Sequence, residues 1–209
     1  MSVRRDSSDL AAIALRAQPG AVAAAAVAAS EGAGEPQAAV VVAEQEVALR
    51  PAAAGDAAQI AELINRYAQS NLLLPRSEEN VRTQIGNFLV AARGSEVLGA
   101  VALHVYTPEL AELRSLAVRE DAQGLGLGGR LAEACMARAR ELGIARLFAL
   151  TYQIAFFLRR GFTPVSKQTL PEKVWTDCIH CPRYYDCTEV AMALILRPGR
   201  SAPGTAQGG

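Results

Sequence analysis

The sequence predicts a mixed α/β fold built around one sheet. Apolar residues recur with strand spacing in several short segments and with helical spacing in others. Residues 123–129 form a glycine cluster between a strand and an amphipathic helix, which is a strand-loop-helix unit. An antiparallel hairpin precedes this unit. These observations predict the order strand, two helices, three strands, helix, strand, helix, strand.

The first strand is predicted at residues 47–50. Asp56 is predicted to cap a helix, because its side chain can accept a hydrogen bond from a free backbone N–H group. A second helix is predicted to start after Ser77, where two glutamates face the positive end of the helix dipole, and to end near Gly86. The apolar face of the first helix holds Ile60, Leu63, Ile64 and Tyr67.

The middle of the chain is predicted to form a hairpin about Gly94 and then a strand that runs into the glycine cluster. The helix after Gly126 is predicted to end at Gly143, since glycine readily ends helices. Its apolar face holds Leu127, Leu131, Ala134, Cys135 and Leu142. The hairpin strands are residues 88–92 and 97–106, and the next strand is 112–118. The remaining elements are a strand at 147–151, a helix at 155–160 and a strand at 190–196.

The two ends of the chain differ in composition from the middle. Residues 1–45 are rich in alanine and offer few large side chains to bury, so they predict a disordered extension. Residues 198–209 predict a disordered tail. The folded domain is therefore expected at residues 46–197.

Charge and cysteine content restrict the expected partners and location. The chain has 21 basic and 21 acidic residues, so no basic excess predicts nucleic acid or a membrane surface as a partner. Apolar runs fall short of the roughly 20 residues that cross a bilayer. Arg16 interrupts the amino-terminal apolar stretch, so no export signal is predicted. A cytoplasmic protein with four reduced cysteines is expected.

The glycine cluster predicts an anion site, because unpaired N–H groups and the helix dipole both favour a phosphate. A Walker loop would need Lys and then Ser or Thr where the chain has Gly129 and Arg130, so that interpretation fails. A dinucleotide fingerprint fits the spacing of Gly124, Gly126 and Gly129, but the preceding antiparallel hairpin argues against it.

A third interpretation rests on two motifs. Gln123, Gly126 and Gly128 match the pattern Q/R-x-x-G-x-G/A, and residues 155–162 are similar to A-x-F-Y-x-x-x-G-F. Together they resemble the GNAT acetyltransferases. The resemblance implies the GNAT fold, a mixed, mostly antiparallel sheet of six to seven strands flanked by about four helices. It also implies acetyl-CoA as cosubstrate, with no metal required.

The resemblance assigns the cosubstrate to the end of the strand and to the loop. Backbone groups at the strand end would pair with the pantetheine arm as an added strand does, and the loop would hold the pyrophosphate. The strand residues are Leu116, Ala117 and Val118. The loop residues are Gln123, Gly124, Leu125, Gly126, Leu127, Gly128 and Gly129.

Catalytic candidates follow from the chemistry of acetyl transfer, which needs a base for the amine, a donor to the oxyanion and a proton for the thiolate. By resemblance, Glu112 is the base, acting through water, although a solvated strand charge is the alternative. The family motif places a tyrosine where this chain has Phe157. Tyr152 is predicted to donate the proton instead, or else to be a packing residue. A backbone N–H near Leu116 is predicted to hold the oxyanion.

The acceptor is predicted from two local segments, residues 72–82 and 170–192, which resemble those of short-form bacterial N-acetylglutamate synthases. The resemblance implies acetylation of the α-amine of L-glutamate, the first step of arginine biosynthesis. Predicted acceptor-binding cations are Arg76, Arg114 and Lys173. Glutamine, another small amine, a protein amino terminus or a noncatalytic acyl-CoA sensor remain alternatives. Dimers are common in the family, so a homodimer is an expectation from resemblance alone.

The late segment also holds a group of cysteines. Cys178, Cys181 and Cys187 could supply three ligands to zinc, which needs four, and His180 directly precedes Cys181. The alternative is a loop of reduced thiols near the active site.

Overall fold

A computed structural model describes residues 46–196 of the chain. In that range one seven-stranded sheet is surrounded by five α-helices, which confirms the predicted sheet and adds one helix to the number expected. The strands are β1 (Ala48–Pro51), β2 (Phe88–Arg93), β3 (Glu96–Val105), β4 (Leu110–Val118), β5 (Arg146–Thr151), β6 (Thr163–Val165) and β7 (Val190–Ile195). The helices are α1 (Ala57–Gln69), α2 (Glu78–Thr83), α3 (Leu127–Glu141), α4 (Ile154–Leu158) and α5 (Pro171–Thr176).

Three sequence predictions reach beyond the described residues. The extension at residues 1–45 and the tail at residues 198–209 lie outside them, and so does Arg197 at the end of the predicted domain. Between residues 46 and 196, no helix has both the length and the apolar composition that a membrane span requires.

The strand order in the sheet is β1-β2-β3-β4-β5-β7-β6. All neighbouring strands are antiparallel except β4 and β5, which run parallel. This parallel pairing extends only from Leu110 opposite Arg146 to Glu112 opposite Phe148. Beyond Glu112 the two strands separate, which opens the middle of the sheet.

The two faces of the sheet are covered by different helices. Because successive strand residues point to opposite faces, β3 places Val101 and Leu103 in one core and Ala100 and Ala102 in another. The first core includes Leu131 and Cys135 of α3, and the second includes Ile60 and Ile64 of α1. Each buried Leu or Ile side chain contributes about 2 kcal/mol, so the helices are held mainly by these contacts.

Two helix ends depart from the predictions. Asp56 precedes α1 but does not cap it, because its carboxylate bonds to Arg50 and to the Ala53 N–H group. Leu142 is 56% exposed rather than on the apolar face of α3, since the helix ends at Glu141 and Gly143 turns the chain at φ +75°. By contrast, α2 begins directly after Ser77 as predicted, and the Ser77 side chain caps it by accepting a hydrogen bond from the Asn80 N–H group.

Two short elements, β6 and α5, were not predicted as separate elements. β6 has three residues and forms the sheet edge beside β7, and α5 has six residues. Segments this short give too few periodic positions to be recognised from the sequence. The α5 segment nevertheless supplies part of the candidate site.

Candidate active site

The separation of β4 and β5 forms a cleft of about 630 Å³. One wall is the second half of β4, from Leu113 to Val118, and the opposite wall includes the end of β5 and α4. The glycine loop closes one end of the cleft. The three strand residues predicted for the cosubstrate, Leu116, Ala117 and Val118, therefore all line it.

A β-bulge shapes the wall formed by β4. Arg114 lies opposite Ala102 and Ala117 opposite Ala100, so three steps along β4 match two steps along β3. Ser115, inside the bulge, has φ +54°, a left-handed conformation that is strained for a residue other than glycine. Since β5 has also separated here, the backbone of Ser115 and Leu116 is free to face the cleft.

The glycine loop lies directly before α3, where the anion site was predicted. Gly124 and Gly126 have φ +82° and +73°, which glycine adopts without steric cost. The first helical N–H groups have no partner within the helix; the ladder begins where the Arg130 N–H group donates to Gly126 O at 3.1 Å. All predicted loop residues line the cleft except Leu125, whose side chain is 56% exposed.

The loop is tied to the end of β4 through its predicted glutamine. Gln123 Nε2 donates to the Tyr67 hydroxyl at 2.8 Å, and that hydroxyl donates to the carbonyl of Val118. Gln123 thus holds the loop and the strand end in one arrangement.

Arg160 is a candidate anion-binding residue that sequence reasoning missed. Its guanidinium lies 3.7 Å from the centroid of the Phe156 ring, and Nη1 donates to the Phe156 carbonyl. Its Nε is buried without a hydrogen-bond partner among the described residues. A Cβ atom at Gly129 would collide with Arg160 Nη2, so glycine leaves the space that the guanidinium fills.

Burial lowers the pKa of Arg160, which reflects the cost of a desolvated cation. A cation in this position beside unpaired helical N–H groups is stabilised by an anionic ligand. The cleft therefore fits a ligand that carries a diphosphate. Arg160 lies within the motif at residues 155–162, but the spacing of that motif does not indicate that the Arg160 side chain reaches the glycine loop.

A second cavity, of about 670 Å³, adjoins the cleft, and we call it the chamber. Both cavities are lined by Leu73, Arg114, Ser115 and Leu150. The chamber wall includes Glu112 and the three predicted acceptor-binding cations, Arg76, Arg114 and Lys173. The structure therefore brings these four predicted residues to one cavity.

Glu112 lies in a buried network of charged groups. Its side chain is 4% exposed, and Oε2 accepts hydrogen bonds from Lys173 Nζ at 3.0 Å and from the Tyr106 hydroxyl at 2.9 Å. The same lysine and tyrosine also donate to Asp177 Oδ2, at 2.9 and 2.6 Å. Glu112 Oε1 accepts no hydrogen bond from the side chains and backbone groups that the structure describes, which leaves it available to a molecule in the chamber.

The pKa values in this network follow from burial and from the paired charges. Burial opposes the charged form of Asp177, but hydrogen bonds from Tyr106 and Lys173 outweigh it and hold the pKa of Asp177 at about 2. Burial also opposes the charge on Lys173, yet Glu112 and Asp177 raise its pKa. Burial and then the charge on Glu112 raise the pKa of Tyr106. Tyr106 is therefore a neutral phenol, and its one proton can serve only one carboxylate at a time.

Arg114 shares a strand face with Glu112, as the alternation along β4 predicted. Its Nη1 donates to Asp177 Oδ2 and its Nη2 lies 3.0 Å from His104 Nδ1. Since arginine only donates, His104 Nδ1 accepts and the ring is neutral. Burial and then Arg114 lower the pKa of His104, consistent with that state. Tyr106 and Asp177 were not predicted as site residues because they join the network around Glu112 through tertiary contacts.

Arg76 differs from the other two predicted cations. Its Nε donates to Ser115 Oγ and its Nη1 donates to Asn80 Oδ1, so the guanidinium is fixed beside the bulge. No carboxylate lies within 4 Å of it among residues 46–196. Burial and then the neighbouring Arg114 lower the pKa of Arg76. Arg76 thus has no direct ion-pair partner within the described part of the chain.

Tyr152 lines the cleft at the end of β5. Its hydroxyl accepts a hydrogen bond from Arg183 Nη2 at 2.7 Å, which leaves its own proton free to be donated. Phe157, where the family motif has tyrosine, is 4% exposed and packs edge-on against Phe162. Tyr152 and Phe157 both line the cleft, so Tyr152 offers a phenol there while Phe157 has none.

The cysteines do not form the zinc site considered as an alternative. Cys178, Cys181 and Cys187 line the chamber as free thiols. Within the described range, no three His, Cys, Asp or Glu side chains come together in a group that could hold a metal ion. The structure places these residues beside the predicted acceptor cations instead.

Comparison with known proteins adds a family and several relatives. The acetyltransferase (GNAT) family matches residues 57–162. An uncharacterized N-acetyltransferase of Chlorobaculum tepidum is 38% identical over 151 residues, which are 72% of this chain and 97% of that protein. An amino-acid acetyltransferase of Salmonella arizonae is 34% identical over 63% of this chain, but the match spans only 30% of that relative.

Two solved structures are similar as well. N-acetylglutamate synthase from Neisseria gonorrhoeae, complexed with coenzyme A and N-acetyl-glutamate, is 32% identical with a TM-score of 0.66. The match covers 73% of this chain and 35% of that one. A protein of Mycobacterium tuberculosis in complex with CoA and NLQ is 28% identical with a TM-score of 0.62, over 72% of this chain and 99% of that one.

Proposed function

The chain belongs to the acetyltransferase (GNAT) family, as the sequence motifs predicted, and on that premise we propose that it transfers an acetyl group from acetyl-CoA to the α-amine of L-glutamate. The observation that carries the choice of acceptor is Arg76, a fixed guanidinium in the chamber with no carboxylate within 4 Å in the described chain. An amino-acid carboxylate would complete its ion pairing. The likeness to amino-acid acetyltransferases supports the same choice.

The cleft is proposed to hold acetyl-CoA, which supplies an acetyl group activated as a thioester. In this arrangement the backbone of Leu116, Ala117 and Val118 pairs with the pantetheine arm, because this half of β4 has lost its neighbour β5. The N–H groups at the start of α3 and the guanidinium of Arg160 bind the diphosphate. The chamber receives the acceptor, and the two ligands meet where the cavities share Ser115 and Arg114.

The proposed chemistry uses the groups at this junction. Glu112 accepts the amine proton, directly or through water, with its Oε1. The bulged backbone at Leu116 donates an N–H group to the acetyl oxygen as negative charge develops there. Lys173 acts as a positioning residue in this proposal, since its two hydrogen bonds fix Glu112 and Asp177. Arg114 lies at the junction and orients the acceptor through its remaining donors.

Tyr152 is proposed to donate a proton to the departing thiolate, so Tyr152→Phe should lower kcat by roughly tenfold or more. The substitution removes only the hydroxyl, and the ring keeps its place in the cleft. A steady-state assay with saturating acetyl-CoA checks this expectation. An unchanged kcat would leave Tyr152 as a packing residue.

Arg160→Met should weaken the binding of CoA by roughly 10- to 100-fold, because a charge-assisted contact contributes about 1.5–3 kcal/mol. Binding is measured by calorimetry with CoA and with acetyl-pantetheine, which lacks the diphosphate. Only the affinity for CoA should fall if Arg160 binds the diphosphate. Arg159→Met is the matched control, since Arg159 is the adjacent residue and is exposed. Equal losses for both ligands would indicate a general packing defect.

The proposed function is tested by measuring CoA release from acetyl-CoA with each amino acid in turn. Release with glutamate alone is the expected result. Release with glutamine or another amine instead would replace the acceptor while keeping the enzyme class. Binding of acetyl-CoA without turnover on any amino acid would favour a protein acceptor or a noncatalytic acyl-CoA sensor.

We extend the proposal to the first step of arginine biosynthesis in the cytoplasm. The chain should then restore growth without arginine to bacteria that cannot make N-acetylglutamate. Failure of a catalytically active chain to restore growth would contradict the proposed pathway.

Light scattering on the purified protein tests the homodimer expected from family resemblance.

A further inference from the structure

Four cations line the chamber, and they fall into two pairs. Arg114 and Lys173 form ion pairs with Glu112 and Asp177. Arg76 and Lys167 have no carboxylate within 4 Å among residues 46–196, although both line the same cavity. Two cations without a direct ion pair in one cavity are suited to a ligand with two anionic groups.

Lys167 is held in a fixed position by the cysteine segment. It begins the short 3-10 turn after β6, and its Nζ donates to the carbonyl oxygen of Cys187 at 3.0 Å and to Cys187 Sγ at 3.1 Å. An ammonium group has three donors, so these two bonds leave one N–H for a ligand. Restricting the flexible lysine side chain in advance lowers the entropy that ligand binding would cost.

The carboxylate of Glu189, which lines the same cavity, forms no ion pair with Lys167 within 4 Å. Glu189 lines the chamber and accepts a weak hydrogen bond from Cys187 Sγ at 3.7 Å. Burial raises the pKa of Glu189, more than the thiol and Lys167 lower it. Glu189 therefore contacts the sulfur of Cys187 and not Lys167, which leaves the third N–H group of Lys167 to a ligand.

The positions of the two free cations assign them to different ends of an amino acid. Arg76 donates to Ser115 in the bulge, beside the junction where the amine must react. The α-carboxylate is attached to the same carbon as that amine, so it belongs with Arg76. Lys167 lies on another element, after β6, and is left for the group at the other end of the acceptor.

We propose that Lys167 binds the side-chain carboxylate of the acceptor and thereby makes the chamber selective for a dicarboxylic amino acid over its amide. This inference rests on the proposed function and deepens it. It also gives the cysteine segment a role, because Cys187 orients Lys167 through its carbonyl and its sulfur.

The test is the ratio of kcat/KM for glutamate to kcat/KM for glutamine. Lys167→Met and Lys167→Gln should each lower that ratio by roughly tenfold, equivalent to about 1.4 kcal/mol, because a hydrogen bond to a charged group is stronger than one to a neutral amide. Lys167→Arg keeps the charge and should keep the ratio within about threefold. Arg140→Met removes a charge from an exposed position outside the chamber and should leave the ratio unchanged.

The outcomes separate this inference from the function on which it rests. CoA affinity equal to that of the unmodified chain shows that each variant is folded. If the unmodified chain turns over glutamate but both neutral variants keep the original ratio, Lys167 does not select the side-chain carboxylate. If the unmodified chain does not acetylate glutamate at all, the proposed function itself fails, and the inference fails with it.

Discussion

Replacing Glu112 by Gln is expected to lower kcat by roughly 100- to 1,000-fold, because an amide cannot take the proton that the reacting amine must lose. The two side chains have nearly the same shape, so the change tests the chemistry of the carboxylate. Glu112 Oε1 has no hydrogen-bond partner among the described residues and lines the chamber, which is where the amine would arrive. Initial rates at saturating glutamate and acetyl-CoA give kcat, and calorimetry with CoA should give an affinity changed by less than about twofold.

A purely structural role for Glu112 predicts a different result. Asp177→Asn is the matched control, since Asp177 accepts hydrogen bonds from the same tyrosine and lysine as Glu112. Loss of either carboxylate leaves Lys173 with one partner, so both variants disturb the network in a similar way. Equal losses of kcat would mean that the network matters only for structure, and an unchanged kcat in Glu112→Gln would remove Glu112 from the role of base.

The predictions that held from the sequence are those that depend on local interactions. The longer strands and helices follow from apolar periodicity, and the predicted start of α2 after Ser77 depends on a contact between residues three positions apart. The glycine loop was recognisable because both the positive φ angles and the start of α3 are local features. Asp56 failed as a cap because a nearby arginine competes for its carboxylate.

The parts that sequence reasoning missed depend on contacts between distant residues. Asp177 is separated from Tyr106 by 71 positions, and no pattern in either segment records that they meet. Arg160 reaches Gly129 because α4 and the glycine loop lie side by side at the cleft, which only the tertiary structure reveals. All three predicted cations line one cavity. Arg114 and Lys173 form ion pairs there and Arg76 does not, a difference that composition and spacing do not predict.

The bulge at Ser115 connects the two halves of the proposed reaction. Ser115 lines both cavities, and its hydroxyl accepts a hydrogen bond from Arg76. A ligand carboxylate on Arg76 is therefore held at a fixed position relative to the backbone that would contact the acetyl group. Such positioning lowers the entropic cost of bringing two substrates together.

Arg76→Ala is accordingly expected to raise the KM for glutamate by roughly 10- to 100-fold, because the acceptor loses a charge-assisted contact worth about 1.5–3 kcal/mol. CoA affinity should be unchanged, since Arg76 lines the chamber and not the cleft. Saturation curves for glutamate at fixed acetyl-CoA measure the effect. Arg76→Lys should recover only part of the loss, because an ammonium cannot bond to Ser115 and Asn80 and also bind a carboxylate with two parallel N–H groups.

Arg82→Ala is the control for the loss of an arginine in the same region. Arg82 lies on α2, is exposed and pairs with Glu78 one helical turn away, outside the chamber. Exposed pairs of this kind contribute about 0.3–0.5 kcal/mol to stability, so the KM for glutamate should not change measurably. If Arg76→Ala behaves like Arg82→Ala, Arg76 does not bind the acceptor, and its missing carboxylate partner must be explained without a substrate. If only Arg76→Ala raises KM, the uncompensated guanidinium beside the bulge is the anchor that places the amine for attack.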